Sequence, residues 1–256
     1  MRFTVSVLAA ALAAQPVTAF AQDDDWEFQQ DAGRKLTVAA VRYDDGKAII
    51  ARCQDGDLKL VVVGLPQMTE PVVYLEGRRP DGRQDTQVWN PQSGEGVAAL
   101  SSAVPARDIR FLRGGGAWGI RTLPDAPRAM RATLDLPSQS ANLDRVLVEC
   151  QRSLQDDRDT LPRARFRAAE AAAQPDTKPR RPVRRGQVVG VAEISCIIRD
   201  LRYTDCRADF ERPEGAAEDA LRYQNRRRLE GEDRSALEGT VAYVSTVTEQ
   251  SVRIGP

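Results

Sequence analysis

The chain of 256 residues contains no histidine. Without imidazole there is no Ser-His or Cys-His nucleophile pair, and the commonest general base and catalytic zinc ligand are missing. An enzyme would have to work through carboxylates, lysine or tyrosine, and no pair of these is singled out, so the reading is non-enzymatic. Net charge is lacking too: 37 Lys and Arg balance 37 Asp and Glu, which leaves no field to attract nucleic acid. Aromatic residues are few, at 5%. Trp26, Trp89 and Trp118 could form a sugar-stacking platform, but scattered along β-rich sequence they are expected in the core or its rim. No CxxC occurs, which argues against a thioredoxin-type site. The Gly114-Gly115-Gly116 run lacks the Lys-Ser/Thr of a phosphate loop and reads as a hairpin turn. The Asp23-Asp24-Asp25 run lacks calcium-loop spacing. No cofactor and no metal are expected.

Long apolar runs are scarce as well. The only one, at the N-terminus, has a basic start at Arg2, an apolar stretch from Phe3 to Ala14 broken by Gln15-Pro16, and a small-x-small site at Ala19-Phe20-Ala21. This pattern reads as an export signal cleaved near Ala21; the alternative is an uncleaved N-terminus anchoring the chain to the inner membrane. The mature protein is therefore expected to be periplasmic or secreted. In that setting the four cysteines, Cys53, Cys150, Cys196 and Cys206, favour disulfides over a zinc site or a redox switch.

Residues 22–155 read as an antiparallel β-sandwich closed by one helix. Short apolar strands (36–43, 47–53, 58–65, 71–79, 86–89, 109–113 and 117–121) alternate with turn signals such as Asp45-Gly46, Asp55-Gly56 and Asp81-Gly82, whose glycines supply positive φ. Leu143, Val146, Leu147 and Cys150 then recur at helical spacing, with Ser138 or Ser140 as a possible cap. Residues 156–187 read as a Pro/Arg/Ala-rich linker. Its basic stripe, Lys178, Arg180, Arg181, Arg184 and Arg185, is either solvated or a contact for anionic membrane or glycan.

Residues 188–256 read as β-β-α-β. A hairpin turning near Leu201 pairs residues whose numbers add to 402, which sets Cys196 opposite Cys206 and leaves Cys53 for Cys150. In the second strand Thr204, Cys206, Ala208 and Phe210 alternate with Asp205, Arg207, Asp209 and Glu211. A helix follows over 216–229, with early acids and late arginines suited to its dipole and Gly231 as a stop. The last strand carries a candidate partner-binding edge: Val241, Ala242, Tyr243, Val244, Ser245, Thr246 and Val247.

The stretch VAEISCIIRDLRYTDCRADFERPEGAAEDALRYQNRRRL resembles the C-terminal domain of TonB-like proteins of alphaproteobacteria, over about 186–250. It departs at the turn, where Asp200-Leu201-Arg202 replaces Asp-Gly, and at the helix entry, where Gly215-Ala216-Ala217 stands. The resemblance implies a binding domain whose exposed strand adds to an extended segment of a partner. Faintly, WEF (26–28), ARCQDGDLKLVVV (51–63) and LDRVLVEC (143–150) resemble periplasmic β-sandwich proteins of the VasI type. Together these imply an exported envelope protein acting in protein–protein interaction, with an outer-membrane receptor or a secretion component as partner. The alternatives are a glycan- or ligand-binding inhibitory sandwich and a carboxylate-based hydrolase.

Overall fold

In the computed structural model, residues 24–92, 98–166, 187–225, 227–229 and 235–251 are described. The N-terminal stretch read as an export signal and the basic stripe of Lys178, Arg180, Arg181, Arg184 and Arg185 lie outside them. The chain is mainly β, as expected. No helix among the described residues is long and apolar enough to cross a membrane.

Nine strands form one antiparallel sheet: β1 (Glu27–Asp31), β2 (Leu36–Arg42), β3 (Ala48–Gln54), β4 (Asp57–Val63), β5 (Val73–Arg78), β6 (Gln84–Gln92), β7 (Ala99–Ser102), β8 (Gly116–Thr122) and β9 (Arg131–Leu136). Their order across the sheet is β1-β2-β3-β4-β7-β6-β5-β8-β9. The Asp55-Gly56 pair closes the β3–β4 hairpin with both φ angles positive (49° and 82°), the geometry a two-residue turn needs to follow strand twist. The sheet folds over on itself, so that its two ends meet. The Tyr43 hydroxyl, just past β2, donates to the Asp135 carbonyl in β9 (2.8 Å), and Gln139 N–H donates to the Asp24 carbonyl (2.8 Å).

Two helices line the inside, not one. Helix α2 (Ala141–Glu149) is the expected one; it buries Leu143, Val146 and Leu147. Asp25, not a serine, serves its N-terminus by accepting from Asn142 N–H (3.2 Å). Helix α1 (Pro105–Leu112) covers much of the 109–113 run that reads as a strand in the sequence. Pro105 sits in its first turn, where fixed φ and a missing N–H cost nothing, and Ile109 and Leu112 face the core at i, i+3 spacing. A short apolar run fits either period, and here packing decides. The glycine run therefore joins a helix to β8 and is not a hairpin turn. Arg79 and Arg83 from the β5–β6 hairpin close the end of α1, donating to the carbonyls of Arg113 (3.3 and 2.9 Å) and, from Arg83, Phe111 (3.2 Å).

The core of this unit gathers all three tryptophans, each at most 1% exposed, with Trp89 and Trp118 rings 6.1 Å apart. A surface sugar platform from these residues is therefore excluded. Cys53 in β3 is bonded to Cys150 at the end of α2, with Cα atoms 5.5 Å apart, which fastens helix to sheet.

The C-terminal unit is a three-stranded sheet, β11-β10-β12, built from β10 (Gln187–Arg199), β11 (Arg202–Arg212) and β12 (Val241–Ser251), with helix α3 (Glu218–Gln224) on one face. The helix stops at Gln224, short of the expected 229. Beyond it the chain runs alongside β11: Tyr203 N–H donates to the Arg227 carbonyl (3.0 Å) and Leu229 N–H to that of Leu201 (2.8 Å). This turns Leu229 into the core and covers the outer edge of β11 there.

The hairpin register differs from the expected one in an instructive way. Its turn is the two-residue Asp200-Leu201, with both φ angles positive (50° and 56°), so Ile198 faces Tyr203 and Ile197 faces Thr204. That register alone would set Asp205 opposite Cys196. An extra residue, Asp205 at φ 48°, bulges out, and Ser195 then faces Arg207. The bulge brings Cys206 to Cys196, and the two are bonded with Cα atoms 4.1 Å apart. A second shift between Glu193 and Ile194 accommodates Asp209. Consequently the expected four-residue apolar face is broken. Cys206 and Ala208 join the small core, whereas Phe210 turns to the other side and stacks under Arg152, 3.4 Å from the ring centre.

Candidate protein-binding cleft between the two units

Residues 152–164 are not a loose connection. Although 156–187 reads as a linker, its first part carries Arg158, Arg163 and Ala164, all buried. The side chains of this clasp work in opposite directions. Arg158 reaches the C-terminal sheet, donating to the Ser195 carbonyl and hydroxyl (both 2.6 Å) and to the carbonyl of the bulged Asp205. Arg163 reaches back into the N-terminal unit, against Asp85 (2.8 Å) and Asp108. Arg152 pairs with Glu193 of β10 (2.9 Å), and Arg207 of β11 pairs with Asp156 and Asp157 (2.9 Å for the latter).

At the centre lie two carboxylates and two guanidiniums, Asp85, Asp108, Arg107 and Arg163, each with a side chain at most 5% exposed. Such a group persists only when its hydrogen bonds are nearly complete. Here Arg107 donates to both oxygens of Asp85 (3.0 and 3.2 Å), to the Leu161 carbonyl (2.7 Å) and to the Tyr243 hydroxyl (3.2 Å). Asp108 accepts from Gln87 (3.2 Å), the Ser102 hydroxyl and Arg163. Burial pushes the Asp108 carboxyl above the ordinary range, while Arg163 pulls it back down and the Asp85 charge adds to the rise. Burial alone would lower Arg163; Asp108 and Asp85 outweigh it and hold the guanidinium firmly charged.

Above this centre is a cleft of about 290 Å³ whose walls include Ala103, Val104 and Ala106 at the start of α1 and Tyr243, Ser245 and Asp209 of the C-terminal sheet. Asp209, the residue accommodated at the second bulge, accepts from Ser195 (2.9 Å) and Arg207 (3.3 Å); burial raises its carboxyl above the ordinary aspartate range. Burial likewise raises the Tyr243 hydroxyl, with Arg107 opposing. A second, more open trough of about 790 Å³ lies where Arg212 of β11 meets Asp55 of the β3–β4 turn (3.2 Å).

The sequence-predicted residues fall as follows. All four cysteines are bonded as paired; Cys53, Cys150 and Cys196 are buried, and Cys206 is partly buried against the small core. Of the edge residues, Val241 and Ala242 are buried. Val241 is engaged on its outer side: its N–H donates to the Pro162 carbonyl and its carbonyl accepts from Ala164 N–H (both 2.8 Å). Tyr243, Val244 and Ser245 line the cleft. Thr246 and Val247 continue β12 against Ala192 and Val191. Sequence reasoning missed Arg107, Arg158 and Arg163. The only local signal was DDRDTLPRAR (156–165), where arginines alternate with acids and with Leu161 and Pro162, whereas a solvated charge run carries no such apolar residues. Among the described residues no group of three or more His, Cys, Asp or Glu is placed to hold a metal.

Comparison with known proteins adds no family: no family model, no curated protein and no solved structure matches this chain.

Proposed function

We propose that this chain is an exported, non-enzymatic protein of the cell envelope that binds another protein through its TonB-like C-terminal unit, with a role beside outer-membrane transport or secretion. One observation carries the reading. Strand β12 is hydrogen-bonded to β10 on one side, and on the other side only Val241 has main-chain partners among the described residues. In an antiparallel pair, outward-facing groups alternate, so the N–H and C=O of Tyr243 and Ser245 point the same way as those of Val241. Such an edge is a template for an added strand. The two disulfides and the balanced charge agree with an exported protein that does not bind nucleic acid.

The test is site-specific photocrosslinking in intact cells, with the probe at Ser245 and, for comparison, at Val148, which is exposed on α2. A defined envelope protein captured from Ser245 and not from Val148, with N-terminal sequencing showing a start after Ala21, supports the reading. Identical capture from both positions overturns it.

A further inference from the structure

We infer that the Cys196–Cys206 bond is a redox latch on the docking of the two units: oxidised, it shapes the socket that the clasp grips, and reduction by a dithiol loosens that grip. The residues that receive Arg158 immediately precede the two half-cystines. Ser195 offers its carbonyl and hydroxyl (both 2.6 Å), and Asp205 offers its carbonyl and, at 3.2 Å, its carboxylate. The buried guanidinium thus joins the two strands beside the place where the sulfurs join them. Both fastenings depend on the same extra residue: Asp205 stands out of the ladder while Cys206 is drawn to Cys196.

The bulge also aims Arg207. Pairing runs Ile198 to Tyr203 and Ile197 to Thr204 on the turn side, and Ser195 to Arg207 beyond the extra residue. Directly opposed residues share a face of the sheet, so Arg207 lies with Ser195 and reaches Asp156 and Asp157 of the clasp. Continued without the extra residue, the turn-side register would set Arg207 opposite Ile194, which faces the small core. Asp205 would meanwhile take the place opposite Cys196, so both clasp contacts are lost together. Apolar contact does little to replace them, because the buried clusters of the two units are separate. Since docking and bond closure favour the same bulge, each must favour the other by the same factor. Opening the latch takes a dithiol reductant, small or carried by a protein. Its thiolate attacks the sulfur of Cys206, the partly exposed half-cystine, and buried Cys196 leaves as a thiolate that takes up a proton. The second thiol of the reductant then displaces Cys206, so two electrons pass to the protein and the reductant closes into its own disulfide. Cys53–Cys150 is buried at both ends.

The experiment equilibrates the full-length oxidised protein, without denaturant, in graded ratios of reduced to oxidised dithiothreitol. Free thiols are blocked with N-ethylmaleimide and each bond is read by peptide mass. Arg158→Met should lower the ratio needed to open Cys196–Cys206 by about tenfold or more, with Cys53–Cys150 unmoved as the internal standard. Arg207→Gln should lower it in the same direction. The reciprocal arm is amide hydrogen exchange on the protein carrying both Cys196→Ser and Cys206→Ser. Exchange at the Val241 and Ala164 amides, which bond the clasp to β12, should quicken by about tenfold or more. The β10–β12 ladder and β3 should keep their protection, which shows both units folded. An unmoved or raised ratio in either arginine variant, or equal shifts in both disulfides, overturns the latch. So does protection of Val241 and Ala164 that survives without the bond. Loss of ladder protection together with theirs shows that the bond holds the fold of the small unit and not its docking, and overturns the latch as well.

Discussion

The guanidinium of Arg163 lies 2.8 Å from the carboxylate of Asp85, and both side chains are at most 5% exposed. The residues on either side of it, Pro162 and Ala164, hydrogen-bond through their main chains to Val241, at the start of the last strand. These three residues thus tie the large sheet to the small one, by charge in one direction and by backbone in the other.

Arg163→Met should be among the most damaging single substitutions. It leaves Asp108 buried without its cation and Asp85 with Arg107 alone. Removing one partner of a buried ion group costs about 3–5 kcal/mol. Urea unfolding followed by Trp fluorescence, which reports on the N-terminal core, gives the value directly. A loss under about 1 kcal/mol would mean the centre is hydrated and the clasp is weak.

The two disulfides should contribute unequally. On the chain-entropy model the short loop closed by Cys196–Cys206 is worth just under ~3 kcal/mol, and the long loop closed by Cys53–Cys150 is worth ~5 kcal/mol. Paired Cys→Ser variants compared by denaturant midpoint, with the slope checked for constancy, measure both. Equal losses would point to residual structure in the unfolded chain.

Two carboxylates that share Arg207 should titrate in opposite senses. Burial raises Asp209, whereas the hydrogen bond from Arg207 lowers the exposed Asp157. For Asp209 the folded value lies above the unfolded one, so its contribution is fully present below the unfolded pKa and is lost as pH rises through the folded value. For Asp157 the contribution is present above the unfolded pKa and lost as pH falls through the folded one. Carboxyl-detected NMR titration should place Asp209 above and Asp157 below the usual range near 3.9. Asp209→Asn should remove the stability lost on raising pH through that window.

Gly115→Ala should destabilise although it adds a single carbon. Its φ of 63° belongs to the left-handed region, and a Cβ there would stand 2.6 Å from the Cα of Ser138. Strain of about 1–3 kcal/mol is expected, read as a lower melting temperature. Gly82→Ala, with φ of 89° and open space around it, tests the backbone effect alone and should cost less.

Much of the fold was legible because its signals are local. Asp-Gly pairs mark hairpins wherever they fall, and period-2 runs such as 48–54 pack on one face only in one register. The cysteine pairing was legible for a partly wrong reason: the turn was misplaced by half a residue, and the Asp205 bulge restored the sum of 402. What stayed hidden depends on partners far along the chain. Arg158 and Arg163 read as solvated linker because nothing near them in sequence reveals Ser195, Asp85 or Asp108. Helix α1 was lost because five apolar-rich residues fit both periods. Phe210 was assigned to the wrong face because a bulge inverts every side chain beyond it.

That inversion bears on how the chain is checked as it matures. With an unbulged hairpin, sulfur at Cys196 would look at Asp205, and Cys206 would point away. Covalent closure is then a readout of strand register: a ribbon zipped up one residue out of step keeps reactive thiols. Under oxidising conditions, bond formation therefore separates correctly paired molecules from slipped ones.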